Sequence, residues 1–417
     1  MIVRALYTLA WWCLLPLAFV YLWRRGRRQP AYRHDWAERL GRYPAAPAGP
    51  LIWLHAVSVG ETRAAVPLVQ ALRARHPDHA ILLTQMTPTG RDTARQLFGD
   101  SVTVAYLPYD LPFAVGRFLR HYRPRFGVLM EMEIWPNLLH RAADAGVPLY
   151  LVNARLSEKS LRGYRKVAAL VRPAMARLAR VAAQGEADAA RLREIGAAAP
   201  VVTGNIKFDM RLDPALLARG QAWRARFGGR PVWAAACTRE GEEALLLDAL
   251  ARAALPADAL LLLVPRHPQR FDEVAALLAA RGLNAQRRSD WADDAPLPAS
   301  VQVLLGDSLG ELAAYYAAAD LAFVGGSLVP LGSHSVIEPC AQGVPTLLGP
   351  SSFNFAEAVR EAVELGAAKQ LPDADAVLAE VGRLLEDETA RAAMAAAGLA
   401  FVGRHRGAVE RVLALLP

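Results

Sequence analysis

Short apolar runs alternate with helical patterns along most of this chain, and that alternation constrains the fold more than any other feature. Runs at 51–57, 80–85, 102–106, 126–130, 148–152, 180–183 and 201–203 are strand-sized, and segments between them, such as 62–75, carry helical spacing. Strands that are apolar on both faces and are joined by helices form parallel sheets covered on both sides. The pattern loosens through 205–230, where D-P and G-G occur and a linker is expected. It restarts with runs at 231–236, 259–264, 301–305, 321–324 and 345–348. The expectation is an α/β protein of two Rossmann-like domains facing a cleft, a favoured place for small ligands. At 417 residues the chain exceeds what one core usually fills, which agrees with two domains. The expected boundaries are 25–204 for the first, 205–230 for the linker and 231–390 for the second. A helical segment over 391–417 follows, whose last helix, 408–416, could pack back on the first domain. The acidic, proline-containing insert 289–300 reads as a surface loop. No internal repeat supports a solenoid.

The segment ahead of these domains bears on location. Residues 2–23 are almost wholly apolar, with Arg4 as the only charge, and are long enough for one membrane-spanning helix. Tyr21 and Trp23 suit the interface, and Arg24, Arg25, Arg27 and Arg28 follow, so the positive-inside rule keeps the rest of the chain in the cytoplasm. No A-x-A cleavage site follows, so residues 1–24 are expected to stay as a membrane anchor. A helix docked on the protein or dipped into one leaflet is the alternative, and both put the body at a cytoplasmic membrane surface. The net charge of +8 and pI near 9.6 favour an anionic partner: nucleic acid, a phospholipid surface or a phosphorylated substrate. Cys13, Cys237 and Cys340 are far apart and form no C-x-x-C pair, which points to a reducing compartment without a structural disulfide.

Candidate chemistry gathers at strand ends. Glu61 in L-I-W-L-H-A-V-S-V-G-E and Glu131 in F-G-V-L-M-E-M-E-I-W-P follow apolar runs, and open α/β sheets bind ligands beyond the carboxyl ends of their strands. Either carboxylate could be a catalytic base. Glu61 could equally be an ordinary first-turn glutamate stabilising a helix N-terminus. Ser58 and Gly60 resemble part of a G-x-S-x-G nucleophile elbow, but Ala56 stands where the first glycine belongs. His55 and Glu133 read as a core histidine and a surface acid. Lys207 in T-G-N-I-K-F-D is either a positive charge pointing into the cleft or a solvated linker lysine. In V-P-R-H-P-Q-R-F, Arg266 and His267 sit at a strand end where side-chain charge and backbone N–H groups can hold a phosphate. Pro268 is also explained by the helix start alone. The segment F-V-G-G-S-L-V-P-L-G-S-H-S-V-I-E-P brings Ser333, His334 and Ser335 into a helix with Glu338 one turn in, which suits a phosphate and a sugar diol. It is not the G-x-G-x-x-G spacing. Asp373 and Asp375 read as a helix start, and no H-E-x-x-H, Walker loop or cysteine cluster occurs, so no protein-bound metal or other cofactor is expected.

Taken in order, Y-R-H-D-W-A-E-R-L-G, H-A-V-S-V-G-E-T, M-T-P-T-G, Y-L-P-Y-D, M-E-M-E-I-W-P-N, N-A-R-L-S, G-N-I-K-F-D, P-R-H-P-Q-R-F, G-D-S-L-G-E-L and F-V-G-G-S-L resemble the bacterial 3-deoxy-D-manno-octulosonic acid (Kdo) transferases over nearly the whole chain. The resemblance implies a GT-B glycosyltransferase of the inner membrane, with its catalytic domains on the cytoplasmic side. It would move Kdo from CMP-Kdo to a lipid A precursor in lipopolysaccharide synthesis, with an anionic membrane surface and no nucleic acid as partner. Carried over by position, Glu61 matches the general base, and Glu131 and Lys207 match transition-state stabilisers. Arg266, His267, Leu309, Gly310, Glu311, Ser335, Val336, Ile337 and Glu338 match the CMP-binding segments. One departure is visible: the family usually reads G-G-H-N where this chain has Gly332-Ser333-His334-Ser335, so a hydroxyl replaces an amide at Ser335. A GT-B enzyme with another sugar nucleotide, a Ser58 hydrolase and a non-catalytic membrane-anchored binding protein are the competing readings.

Overall fold

The computed structural model describes residues 2–292 and 294–417. Residue 1 of the expected anchor and residue 293 of the expected surface loop lie outside them.

The chain forms two compact units, 1–210 with 405–417, and 211–404. Each is built on one parallel seven-stranded sheet. The first contains β1 (Leu51–His55), β2 (Ala80–Gln85), β3 (Thr103–Tyr106), β4 (Phe126–Met130), β5 (Leu149–Ala154), β6 (Arg180–Ala183) and β7 (Val201–Val202). Their order is β3-β2-β1-β4-β5-β6-β7, so strand order reverses between β1 and β4. Trp53 enters the core on one face of β1, whereas Ile52 and Leu54 enter it on the other. This two-sided burial is why the strands read as unbroken apolar runs. Gly127 of β4 lets the sheet close over Trp53: a Cβ there would lie 2.5 Å from the indole ring.

The second sheet contains β8 (Val232–Thr238), β9 (Leu260–Pro265), β10 (Ala285–Arg287), β11 (Val303–Leu305), β12 (Leu321–Val324), β13 (Thr346–Leu348) and β14 (Ala368–Gln370). Its order is β10-β11-β9-β8-β12-β13-β14, and the reversal falls between β8 and β12. The edge strands β10 and β14 were not anticipated. An edge strand is only partly covered, so A-Q-R and A-K-Q carry no apolar run.

Residues 205–230, expected as a linker, contain the boundary between the two units and hold two helical elements. Asn205 caps a short 3-10 turn, Ile206–Asp209, and Asp213 caps the helix Pro214–Arg226. The D-P pair is thus a helix start, with Pro at the first helical position. Trp223 and Phe227 are buried in the second unit's core together with Trp291 and Leu297, which tack down the acidic insert. At the other end the chain returns to the first unit. Both oxygens of Asp209 accept backbone N–H bonds from Gly407 and Val409, and Ala408, Val409, Val412 and Leu416 join that unit's core.

The N-terminal helix, Ile2–Arg25, is long and apolar enough to cross a membrane. One side touches the first unit. The Tyr7 hydroxyl donates to Asp110 at 2.9 Å, Thr8 bonds Asn137, and Trp11 stacks on Tyr109 at 5.5 Å. Ile2, Leu6, Leu9, Leu17 and Val20 are exposed. Asp110 also accepts the N–H groups of Asn137 and Leu138, the first turn of the helix Pro136–Asp144, so it caps that helix and docks the apolar one. Burial raises its carboxyl to about 6.

Candidate active site

In the first sheet Glu61 and Glu131 follow β1 and β4, between which strand order reverses, the place at which an open α/β sheet leaves a crevice beyond its strands. In the second, Ser335 to Glu338 lie in the segment after β12, at the reversal, and Arg266 and His267 follow β9, one strand away from it. In the first unit, β1 ends at His55 and Ser58 caps the helix Val59–Ala64. Glu61 lies in that first turn and folds back on the cap. Its Oε2 accepts from the Val57 N–H at 2.8 Å and its Oε1 from the Ser58 hydroxyl at 2.9 Å. The Ser58 Oγ in turn accepts from the Glu61 N–H at 3.2 Å, a reciprocal arrangement close to a capping box. Glu61 stays half-buried. Burial pushes its carboxyl above the ordinary range, and the negative charges of Glu131 and Glu133 add to the rise, against the two hydrogen bonds that favour the carboxylate.

Glu131 is the first residue beyond β4 and takes φ 59, a left-handed conformation that ordinary side chains seldom adopt. Strain of this kind persists where surrounding structure fixes it. The Glu131 N–H is held by the Val152 carbonyl at 2.9 Å, and Lys207 Nζ lies 2.9 Å from its Oε1. Two asparagines position Lys207: Asn205 accepts its N–H, and buried Asn153 accepts the N–H of Ile206. The N-A-R-L-S and G-N-I-K-F-D segments, whose bonded residues Asn153 and Ile206 are 53 apart, thus build one corner. Glu133 receives the Trp135 indole N–H at 2.8 Å and lies 3.7 Å from Nε2 of buried His55, whose Nδ1 is paired with Thr84.

The second unit carries cations instead. The end of β8 with the loop that follows it, Cys237–Gly241, and the loop after β12, starting at Gly325, meet closely: a Cβ on Gly325 would lie 2.6 Å from the Cys237 carbonyl oxygen. Buried Glu242 ties them together by accepting the N–H groups of Arg239, Gly326, Ser327 and Leu328 at 2.5–2.9 Å. Burial raises its carboxyl, and those four N–H groups oppose the rise. Glu243, also buried, accepts from Thr238 and pairs with Arg270 at 2.7 Å. Beside these loops a cavity of about 360 Å³ is lined by Arg239, Glu240, His267, Arg270, Val329, Pro330 and Leu331. Partial burial and the charges of Arg239, Arg266 and Arg270 lower the pKa of His267. Burial, then Arg266 and Arg239, brings His334 down to about 4. These rings are therefore neutral near pH 7.

The expected site residues fall into distinct groups. Glu61, Glu131 and Lys207 gather in the first unit; Arg266 and His267 gather with His334 in the second. Leu309 is exposed and Gly310 takes φ 85. The Glu311 carboxylate is already held by Arg219 at 2.9 Å, Arg288 at 3.2 Å and Ser308 at 2.5 Å. The Ser335 hydroxyl accepts from the Ile337 N–H at 3.3 Å, Val336 and Ile337 bury their side chains, and Glu338 is half-buried. Sequence reasoning missed Arg239, Glu242 and Glu243. The signal was present: T-R-E-G-E-E follows β8 as S-V-G-E follows β1.

Comparison with known proteins accounts for this pairing of two sheets. The family described as "3-Deoxy-D-manno-octulosonic-acid transferase (kdotransferase)" matches residues 34–210, and "Glycosyl transferases group 1" matches 256–400. The chain is 48% identical to a 3-deoxy-D-manno-octulosonic acid transferase of Bordetella pertussis, covering 98% of each. It is 39% identical to that of Haemophilus influenzae, covering 99% of this chain and 98% of the relative. Among solved structures, Anabaena HepE in complex with UDP superposes with a TM-score of 0.58 at 15% identity, covering 88% of this chain and 98% of that one. UDP-GlcNAc 2-epimerase from Neisseria meningitidis gives 0.59 at 15% identity, covering 88% and 99%. Those two likenesses bear on the fold, which is of the GT-B type with two Rossmann-like units. The protein is a glycosyltransferase, and its chain belongs to the 3-deoxy-D-manno-octulosonic acid transferase family.

Proposed function

We propose that the protein is an inverting transferase that moves Kdo from CMP-Kdo to a hydroxyl of a lipid A precursor, lipid IVA, in lipopolysaccharide synthesis. The observation that carries the reading is the state of Glu61: a half-buried carboxylate at the sheet's switch point whose pKa is raised by burial and by Glu131. A carboxylate is a better general base as its pKa approaches the working pH. Glu61 takes the proton of the acceptor hydroxyl as that oxygen bonds to the anomeric carbon of Kdo. The bond from that carbon to the phosphate oxygen breaks on the opposite face, and CMP leaves with the electron pair. The Glu131–Lys207 pair supplies a positioned ammonium for charge that develops in the transition state.

The second unit takes the nucleotide. Arg266 stabilises the departing phosphate electrostatically, so turnover is expected without a divalent metal. Because Val336 and Ile337 bury their side chains and the Glu311 carboxylate is engaged, those segments offer the nucleotide chiefly their backbone groups. The apolar helix Ile2–Arg25 serves as the anchor, and Arg24, Arg25, Arg27 and Arg28 keep the catalytic units on the cytoplasmic side of the inner membrane. The net charge of +8 suits anionic headgroups and a phosphorylated acceptor. Anchoring raises the effective concentration of a membrane-held substrate.

The test is to incubate the full chain with CMP-Kdo and a tetra-acylated, bis-phosphorylated lipid A precursor, in the presence of a chelator, and to follow the lipid's mass. Wild type is expected to add Kdo and Glu61→Ala to add none. Absence of any gain from folded wild type, or displacement of bound CMP-Kdo by UDP more readily than by CMP, would return the choice to another donor or to a binding protein.

A further inference from the structure

The cations at the end of the second sheet outnumber what one phosphate requires, and their pairing shows which of them are available. Arg270 is committed: it lies 2.7 Å from Glu243 and 3.1 Å from Glu273. His267 and His334 are neutral near pH 7. Arg239 and Arg266 remain. Among the described residues neither guanidinium forms a side-chain hydrogen bond or an ion pair.

The two arginines are neighbours by register. Thr238 at the end of β8 is paired with Pro265 at the end of β9, and the Arg266 N–H bonds the Thr238 carbonyl at 3.0 Å. Arg239 and Arg266 therefore leave adjacent strands at the same level. Both act on His267 and on His334, which places the two positive charges around the same pair of rings. Arg239 itself lines the cavity, and its backbone is fixed because Glu242 holds its N–H at 2.9 Å. Glu240 also lines the cavity and is exposed.

A 2-ulosonic acid activated as a nucleotide ester carries two anions on one carbon: the phosphate ester that leaves and a carboxylate that stays. Two adjacent, unpaired guanidiniums match that arrangement, whereas a neutral sugar on the same nucleoside monophosphate would offer only the phosphate. A guanidinium also meets a carboxylate in a two-pronged geometry that an ammonium cannot reproduce. We propose that Arg239 is a donor-recognition residue whose guanidinium takes the sugar carboxylate while Arg266 takes the phosphate. This rests on the reading that the donor is CMP-Kdo. It assigns to Arg239 the choice of an ulosonic acid over a neutral sugar on the same nucleotide.

The experiment measures, for the full chain, the KM for CMP-Kdo and the inhibition constant of CMP, which lacks the carboxylate. Arg239→Ala is expected to raise the KM for CMP-Kdo by about 10- to 100-fold, the scale of one charge-assisted contact, while inhibition by CMP changes by less than about threefold. Arg239→Lys is expected to recover part of that loss. Arg266→Ala is expected to weaken CMP and CMP-Kdo together. If Arg239→Ala weakens both ligands equally, Arg239 is a phosphate contact and the proposal is overturned; if it weakens neither, Arg239 does not touch the donor. Retained inhibition by CMP reports that the variant is folded, and should the alanine variant not fold, Arg239→Lys is judged by the same ratio. Wild type that consumes no CMP-Kdo would instead overturn the proposed function.

Discussion

The two sheets place a Gly-Glu pair at the same topological position and use it in opposite ways. Gly60-Glu61 follows β1 and Gly241-Glu242 follows β8, each beside the point where strand order reverses. Glu61 accepts two hydrogen bonds, both from residues within four positions of itself, and stays half-exposed. Glu242 accepts four backbone N–H bonds, three from the loop after β12, and is fully buried. One carboxylate keeps exposed surface and accepts only two local hydrogen bonds; the other is consumed in joining two loops. The same sheet geometry thus yields an acidic corner in the first unit and a rigid cationic one in the second. What separates them is how many donors surround the carboxylate, a matter of loop conformation rather than of strand order.

The largest test exchanges the same atom in both places. Glu242→Gln leaves four N–H groups facing a neutral amide that has only one acceptor oxygen. Breaking such a buried charged network costs about 3 kcal/mol. For a unit of this size that corresponds to a melting temperature lower by roughly 10 °C, read by circular dichroism. Glu61→Gln should leave melting almost unchanged and lower transfer by about 10²- to 10⁴-fold, the usual contribution of a general base. If Glu61→Gln instead destabilised the protein while Glu242→Gln lost only activity, the division of labour drawn here would be inverted.

This division shows what the sequence could carry. Parallel buried strands, two units and the strand-end position of Glu61, Glu131, Arg266 and His267 follow from apolar runs, because buried parallel strands must be apolar on both faces, whereas the strand order depends on which strands pair and no run displays it. The edge strands Ala285–Arg287 and Ala368–Gln370 were hidden because that constraint is relaxed at an edge. The helix Pro214–Arg226 was hidden behind a D-P pair that reads as a break and serves as a cap. Lys207 stood undecided between ligand contact and solvent, since its partner Glu131 lies 76 residues away and only the fold joins them. Glu242 escaped because burial of a charge depends on N–H donors from a distant loop, which no local pattern displays.

A smaller effect sharpens the account of the acidic corner. Burial is the main cause of the raised Glu61 pKa, and Glu131 is the next. As the proposed base, Glu61 would act only when ionised, so the rate is expected to rise with pH through its pKa. Glu131→Gln removes one of the charges that oppose ionisation, and the rising limb of the pH–rate profile should move to lower pH. The plateau should also fall by about 10- to 100-fold, because Lys207 loses the partner that positions it. A limb that moved upward, or stayed in place, would remove Glu131 from the electrostatics of Glu61.

The smallest effect concerns Ser58, which both caps the helix Val59–Ala64 and donates to Glu61 at 2.9 Å. Ser58→Ala removes the cap, which costs about 1 kcal/mol of stability. It also removes a hydrogen bond that favours the carboxylate, so the pKa of Glu61 rises further and the rising limb moves to higher pH. Above that limb the rate should fall by no more than about threefold, the equivalent of about 0.6 kcal/mol. A nucleophilic serine predicts the reverse, with activity lost at every pH and no displacement of the limb. One titration of the variant therefore separates the two roles. It also measures how far the local donors of Glu61 tune its basicity, set against the four donors that consume Glu242.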